Sequence, residues 1–209
     1  REDDYSGNWT LNMGAGDDTL ETAVLKNGDS IDMGDGDDTV SIIATGSYGT
    51  PTIANLNLTK LDGGAGNDTL NFEGTDSNTT ELTLTTGGAS NFENIIGTSG
   101  SETIKGDANA NKLEGQGGNE TLEGDAGNDT VKGGTGDDTL DGGTGTDTMT
   151  GGDGIDTFVI RANDGLTTLA DADIVTDFTN GTDVIGMDGV AYDELTIAQG
   201  TDDYANQTL

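Results

Sequence analysis

Seven nine-residue units follow one another without insertion from Gly97 to Val159. Gly97, Gly106, Gly115, Gly124, Gly133, Gly142 and Gly151 open them, and the eighth residue is always apolar: Ile104, Leu113, Leu122, Val131, Leu140, Met149 and Phe158. In four of them the sixth residue is aspartate: Asp129, Asp138, Asp147 and Asp156. A short period held in phase is the signature of a stacked repeat, not of a globule with an arbitrary order of elements. Each position of the unit has a physical reason. Glycines in the first part permit positive φ and a tight turn, leaving the loop carbonyls free to point inward. The last three residues read as a short strand with one apolar side chain facing in and its neighbours out. Two units make one flattened coil, and stacked coils make an all-β, parallel β-roll or β-solenoid.

Such a stack brings carboxylates of one sign together at each edge. A hard divalent cation with oxygen ligands resolves that repulsion, which points to several Ca2+ ions rather than zinc or copper. The whole chain is acidic. Lys plus Arg is 7 against 40 Asp plus Glu in 209 residues, a net charge of −33. Nucleic acid is therefore excluded as a partner, since it needs a positive footprint. With 36 Gly and 4% aromatic residues, the composition alone resembles that of a disordered chain, so order is expected only with metal bound. Cysteine and histidine are both missing from the sequence, which removes disulfides, Cys or His nucleophiles and zinc sites built on those residues. No apolar run approaches the ~20 residues of a membrane-spanning helix.

Three stretches are expected. Residues 1–95 repeat the loop with longer connections: Met13–Leu20, Met33–Val40 and Gly63–Leu70 fit the same template, with Asp18, Asp38 and Asp68 as sixth residues. Asp18 to Asp38 is 20 residues and Asp38 to Asp68 is 30, so this half reads as an irregular solenoid. Leu56-Asn-Leu58 and Leu82-Thr-Leu84 alternate like half-buried strands. Residues 96–160 are the regular roll. Residues 161–209 break the period and read as a C-terminal cap, because the open end of a solenoid must be covered. Phe178, Val184 and Ile185 are expected to pack there, and the run Phe158-Val-Ile160 predicts burial on both sides. Arg1 and Leu209 read as cut ends of a longer protein.

The nonads, together with Asp173-Ile-Val-Thr-Asp177-Phe178-Thr-Asn-Gly181-Thr-Asp183-Val-Ile185, resemble the RTX modules of proteins exported by bacterial type I secretion. Serralysin-type proteases, lipases, alginate epimerases, adhesins and some surface-layer proteins share such modules. The resemblance covers Gly97 to about Asp188 and, in patches, Met13 to Asn71. It implies ions held between a loop and the loop two units later. The first loop gives its second and fourth carbonyls and its sixth side chain; the later loop gives its first and third carbonyls and its sixth side chain. Carried over, this assigns Gly134, Gly136 and Asp138 with Gly151, Asp153 and Asp156. It pairs Asp125, Gly127 and Asp129 with Gly142, Thr144 and Asp147. It pairs Gln116, Gly118 and Glu120 with Gly133, Thr135 and Asp138. It pairs Asp107, Asn109 and Asn111 with Gly124, Ala126 and Asp129, and Gly14, Gly16 and Asp18 with Met33, Asp35 and Asp38. Asp68 has no evident partner in sequence. Glu102, Asn111 and Glu120 depart from aspartate at position six, which weakens or empties their sites.

The resemblance also implies a secreted or cell-surface bacterial location and the type I secretion machinery as partner, with contacts to a cell surface or extracellular polymer falling to other domains. No triad, metalloprotease helix, nucleophile elbow or phosphate loop is present in the sequence. The expected role is a non-enzymatic calcium-binding module of an adhesin or surface protein; a C-terminal accessory of a secreted enzyme stays open. An ice-binding reading of the Thr column (Thr121, Thr130, Thr139, Thr148, Thr157) is disfavoured, because the outward loop residues Ser101, Ala110, Asn119, Asn128, Asp137, Thr146 and Ile155 are too varied for a lattice.

Overall fold

The computed structural model describes residues 9–22, 29–43, 60–73, 80–83, 89–161 and 172–189. All regular structure among them is strand. The first nine are β1 (Thr10–Asn12), β2 (Thr19–Thr22), β3 (Ser30–Asp32), β4 (Thr39–Ile43), β5 (Lys60–Asp62), β6 (Thr69–Glu73), β7 (Thr80–Thr83), β8 (Ala89–Ser90) and β9 (Asn94–Ile96). The nonad tract follows with β10 (Glu102–Lys105), β11 (Lys112–Gly117), β12 (Thr121–Glu123), β13 (Thr130–Thr135), β14 (Thr139–Asp141), β15 (Thr148–Asp153) and β16 (Thr157–Arg161). β17 (Ile174–Val175) and β18 (Val184–Asp188) come last.

Apart from the consecutive β7 and β8, alternate strands go to opposite faces, and every pairing is parallel, as a coil that always winds the same way requires. One face is an eight-stranded sheet, β17-β15-β13-β11-β9-β6-β4-β2. The other is divided into a six-stranded sheet, β18-β16-β14-β12-β10-β7, and a four-stranded sheet, β1-β3-β5-β8. Register aligns the eighth residues of the units. Ile104, Leu122, Leu140 and Phe158 face one another in steps of one coil on one side, and Leu113, Val131 and Met149 on the other.

Those side chains form the core. All seven are fully buried, as are Ile31, Met33 and Val40 of the first half. In the nonad tract the core is one residue deep from each face, so each coil contributes one apolar pair, whereas the first half adds Met33, Ile42, Phe72 and Phe92 to it. Burying each such side chain is worth about 1.5–3 kcal/mol.

The last two strands extend the same pattern. β17 adds to β15 with Val175 beside Met149, and β18 adds to β16 with Ile185 beside Phe158. Val175, Phe178 and Ile185 pack on the core, and the Phe158 and Phe178 rings lie 6.1 Å apart at 52°. Val184 does not join them. It is exposed because Ile185 takes the inward position and the side chains alternate. The expected two-sided burial of Phe158-Val-Ile160 is likewise one-sided: Phe158 is buried, Val159 and Ile160 half-buried. Leu56–Leu58 and Leu84 lie outside the described residues; Leu82 lies on β7, beside Ile104.

Candidate metal centre

The turns between strands stack into two rows, one along each edge of the roll. The first row contains the loops ending in Asp18, Asp38, Asp68, Asn111, Asp129 and Asp147. The second contains those ending in Glu102, Glu120, Asp138 and Asp156. Positive φ at Gly134, Gly136, Gly152 and Gly154 turns the backbone at positions two and four of the second-row loops. These loops approach so closely that a Cβ on Gly136 would collide with the Gly118 carbonyl, and one on Gly154 with that of Gly136. Glycine at position one has another cause. A Cβ on Gly133 would strike Oδ2 of Asp138, and one on Gly151 would strike Oδ2 of Asp156.

The position-six carboxylates form a hydrogen-bond ladder. Oδ1 of each accepts the backbone N–H of the equivalent residue one coil earlier. Glu120 donates to Asp138 at 2.8 Å, Asp138 to Asp156 at 3.0 Å, Asn111 to Asp129 at 2.7 Å and Asp129 to Asp147 at 2.7 Å. The same rung joins Asp18 to Asp38 and Asp38 to Asp68, each at 2.8 Å. The second oxygen is buried without a hydrogen-bond partner in Asp18, Asp38, Asp68, Asp129, Asp138 and Asp156, and Glu120 has neither oxygen satisfied. Leaving buried ionised oxygens unsatisfied is costly. Burial holds Asp129 at about 6 and raises Asp68, Asp138 and Asp156 as well. Burial first, then the adjacent Asp138 carboxylate, pushes Glu120 up to about 9.

The structure brings together each pair of loops that the sequence assigns. Gly136 N–H donates to the Asp153 carbonyl at 2.7 Å, Gly127 to Thr144 at 2.9 Å, Gly118 to Thr135 at 2.8 Å and Gly16 to Asp35 at 2.6 Å. Gly134 is in register with Gly152, and Gln116 with Gly134. Thr144 donates to the Asp125 carbonyl at 2.8 Å and Asp35 to that of Gly14 at 2.9 Å. Gly124 and Gly142 open their loops in the same row, with the Gly142 carbonyl over the Gly124 Cα. Met33 puts its side chain in the core, leaving only its carbonyl toward the loop. Asp107 and Asn109 stack on the Ala126 and Gly127 backbone, yet Asn111 is closed: its Oδ1 accepts Asp107 N–H at 2.8 Å and its Nδ2 donates to the Phe92 carbonyl at 3.4 Å.

Several ladder positions escaped the sequence reading. Asp68 does have a partner loop: Ala65 donates to the Gly34 carbonyl at 2.8 Å and Gly36 to the Ala65 carbonyl at 2.9 Å, so loops 33–38 and 63–68 stack despite their 30-residue spacing. Glu93, Asp173 and Asp183 are further rungs, accepting the N–H groups of Asp68, Asp147 and Asp156. Their signal was legible, since each stands two residues before an inward side chain: Ile95, Val175 or Ile185. Position five carries a second ladder in the opposite sense. Asp137 N–H donates to Asn119 Oδ1, Ile155 N–H to Asp137 Oδ1 and Asn67 N–H to Asp37 Oδ1.

Among the described residues no three acidic side chains converge on one point, so an ion bound here depends on carbonyl oxygens beside the paired carboxylates. An all-oxygen lining of this kind suits a hard cation. A family model, the RTX calcium-binding nonapeptide repeat, matches residues 60–76, 96–131 and 123–158 in four copies. The chain carries RTX calcium-binding nonapeptide repeats. RTX repeats bind calcium ions, form parallel β-rolls and are typical of secreted bacterial proteins. The loops at Met13–Asp18 and Met33–Asp38 lie outside the matched residues but stack in the same row. No curated protein matches the chain. No helix among the described residues is long and apolar enough to cross a membrane.

Proposed function

We propose that this chain is a non-enzymatic folding module of a bacterial adhesin or other surface protein, exported by type I secretion and folded by external calcium. The carrying observation is the set of buried carboxylate oxygens that the protein itself does not satisfy. Between stacked loops, Gly134, Gly136 and Asp138 with Gly151, Asp153 and Asp156 supply four carbonyls and two carboxylates, within the six to eight oxygens that calcium takes. Asp125, Gly127 and Asp129 with Gly142, Thr144 and Asp147 supply an equivalent set, and so do Gly14, Gly16 and Asp18 with Met33, Asp35 and Asp38. To these we add Gly34, Gly36 and Asp38 with Gly63, Ala65 and Asp68. When bound, calcium neutralises the carboxylate pair; the chain positions it through the glycine turns and the Oδ1 ladder.

Metal binding is then part of the folding free energy, and at low cytosolic calcium the chain stays extended enough to thread an exporter. Residues 161–209 act as the cap of the roll, and the division at residues 95 and 160 follows the change from irregular to regular repeat and from repeat to cap. Far-UV circular dichroism of the chain in excess EDTA, titrated with calcium, tests this reading. We expect a coil spectrum that turns to β structure with calcium and not with an equal concentration of magnesium. A β spectrum already complete in EDTA refutes it.

A further inference from the structure

Two successive loops, one in each row, depart from the pattern. Asn111 sits where the carboxylate of the first row belongs, and its amide is closed on Asp107 N–H and the Phe92 carbonyl. In the second row Glu102 takes the same position. Its carboxylate accepts the Thr98 hydroxyl and, at 3.3 Å, the Thr98 backbone N–H, while Thr98 Oγ1 accepts Gly100 N–H at 3.0 Å. Glu102 is 5% exposed and Asn111 4%. Both are thus as buried as the ion-facing aspartates, but their polar atoms are occupied by groups of the protein. One coil earlier the first row has no glycine loop at all. Six residues separate the inward-facing Ala89 and Ile95, where nine separate Leu61 from Leu70.

The sheets change one coil before Glu102 and Asn111. β8 ends the four-stranded sheet and β7 ends the six-stranded one, while only the opposite face runs through. Each coil of a solenoid contacts only its neighbours, so cooperativity can fail where one interface is weak. Here the departing loops and the change of sheet fall in adjacent coils. Resting on the calcium reading above, we propose that residues 91–111 form a metal-free coil that divides the molecule into two calcium assemblies loaded separately. One contains Asp18, Asp38 and Asp68; the other contains Asp129, Asp138 and Asp156.

The single tryptophan reports on one assembly only. Trp9 immediately precedes β1, and its backbone N–H donates to Asp29 Oδ1 at 2.8 Å, within the N-terminal assembly. Far-UV ellipticity reports on both. The experiment titrates calcium into the full chain and into Asp138→Ala and Asp38→Ala, reading Trp9 emission and ellipticity on the same samples. Asp138→Ala should raise the calcium midpoint of the main ellipticity change about tenfold, or abolish that change, and move the Trp9 midpoint less than about twofold, as distant, independent sites do. Asp38→Ala should do the reverse. If Asp138→Ala shifts both signals by the same factor, or abolishes both, there is one assembly and the proposal is overturned. If the unaltered chain responds to calcium in neither signal, the calcium reading itself fails.

Discussion

Asp129→Asn should make the metal-free chain easier to fold while lowering the number of calcium ions it holds. Burial keeps the Asp129 carboxyl at about 6, against an ordinary value of 3.8. At pH 7.5, keeping it ionised in the folded chain therefore costs about 3 kcal/mol, at about 1.4 kcal/mol per pH unit of displacement. An amide removes that charge and keeps Oδ1, which still accepts the Asn111 N–H. Its nitrogen would replace Oδ2, which shares the space over the Gly124 Cα with the Gly142 carbonyl, an acceptor it can reach. Asn111 shows that an amide fits this position, although there Oδ1 faces its own loop and Nδ2 the preceding coil. Asp129→Ala is the control. It also removes the charge, but leaves Asn111 N–H without its acceptor, a loss of about 1–3 kcal/mol. The assay is refolding by trimethylamine oxide in EDTA at pH 7.5, followed by far-UV ellipticity, because an excluded osmolyte drives the compact state without metal. Asp129→Asn should refold at the lowest osmolyte concentration of the three. Calorimetric calcium titration should then give it fewer ions than the unaltered chain. The reasoning is refuted if the Asn variant needs as much osmolyte as the unaltered chain or binds as many ions.

Two further outcomes follow from the same geometry. Carboxyls raised by burial, as Asp68, Asp129, Asp138 and Asp156 are, bind protons more tightly in the folded chain, so they favour folding at low pH and that contribution is lost as pH rises through their folded values. In EDTA the unaltered chain should therefore refold at less osmolyte at pH 5.5 than at 7.5, whereas its calcium midpoint should rise at pH 5.5 because protons compete for the ligands; identical curves at both pH values exclude the argument. Gln116 has φ 79 where the equivalent Gly134 and Gly152 have 128 and 107. Gln116→Gly should relieve about 1–2 kcal/mol of left-handed strain against about 0.5–1 kcal/mol of added chain entropy, and so raise the urea midpoint in saturating calcium; a lowered midpoint shows that the Gln side chain contributes more than its backbone costs.

The parallel roll, its core column and the pairing of stacked loops were legible because one period encodes all three. Gly133, Asp138 and Leu140 each serve one need, and the nonad repeats those needs in phase. What the period did not reveal lies where it lapses. Asp68 looked isolated because sequence spacing measures chain length, whereas stacking depends on which backbone groups meet. Asp173 and Asp183 were hidden in a segment read only as a cap, although they stand two residues before Val175 and Ile185 as Asp147 stands before Met149. Glu102 and Asn111 were expected to be poor ligands from their side-chain length and charge. Their closure on Thr98 and Phe92 depends on neighbours that a template position does not specify.

The irregular half shows what sets the length of a coil. Leu11 to Leu20, Ile31 to Val40 and Leu61 to Leu70 are each nine residues apart, and each span crosses the first row with its glycines and Asp18, Asp38 or Asp68. The return connections are not uniform: Leu20 to Ile31 is 11 residues and Val40 to Leu61 is 21. The register nevertheless holds, with Thr19, Thr39 and Thr69 aligned across three coils. The nine-residue length therefore goes with the glycine loops that end in Asp18, Asp38 and Asp68, while the return connections vary. In the regular tract both sides carry the row, and both are nine. The nonapeptide period is thus a property of the loops rather than of the strands, because a strand pair would tolerate any connection that returns it to the same register. Where the glycine loop is missing between Ala89 and Ile95 the span shortens to six, and the strands still add to their sheets.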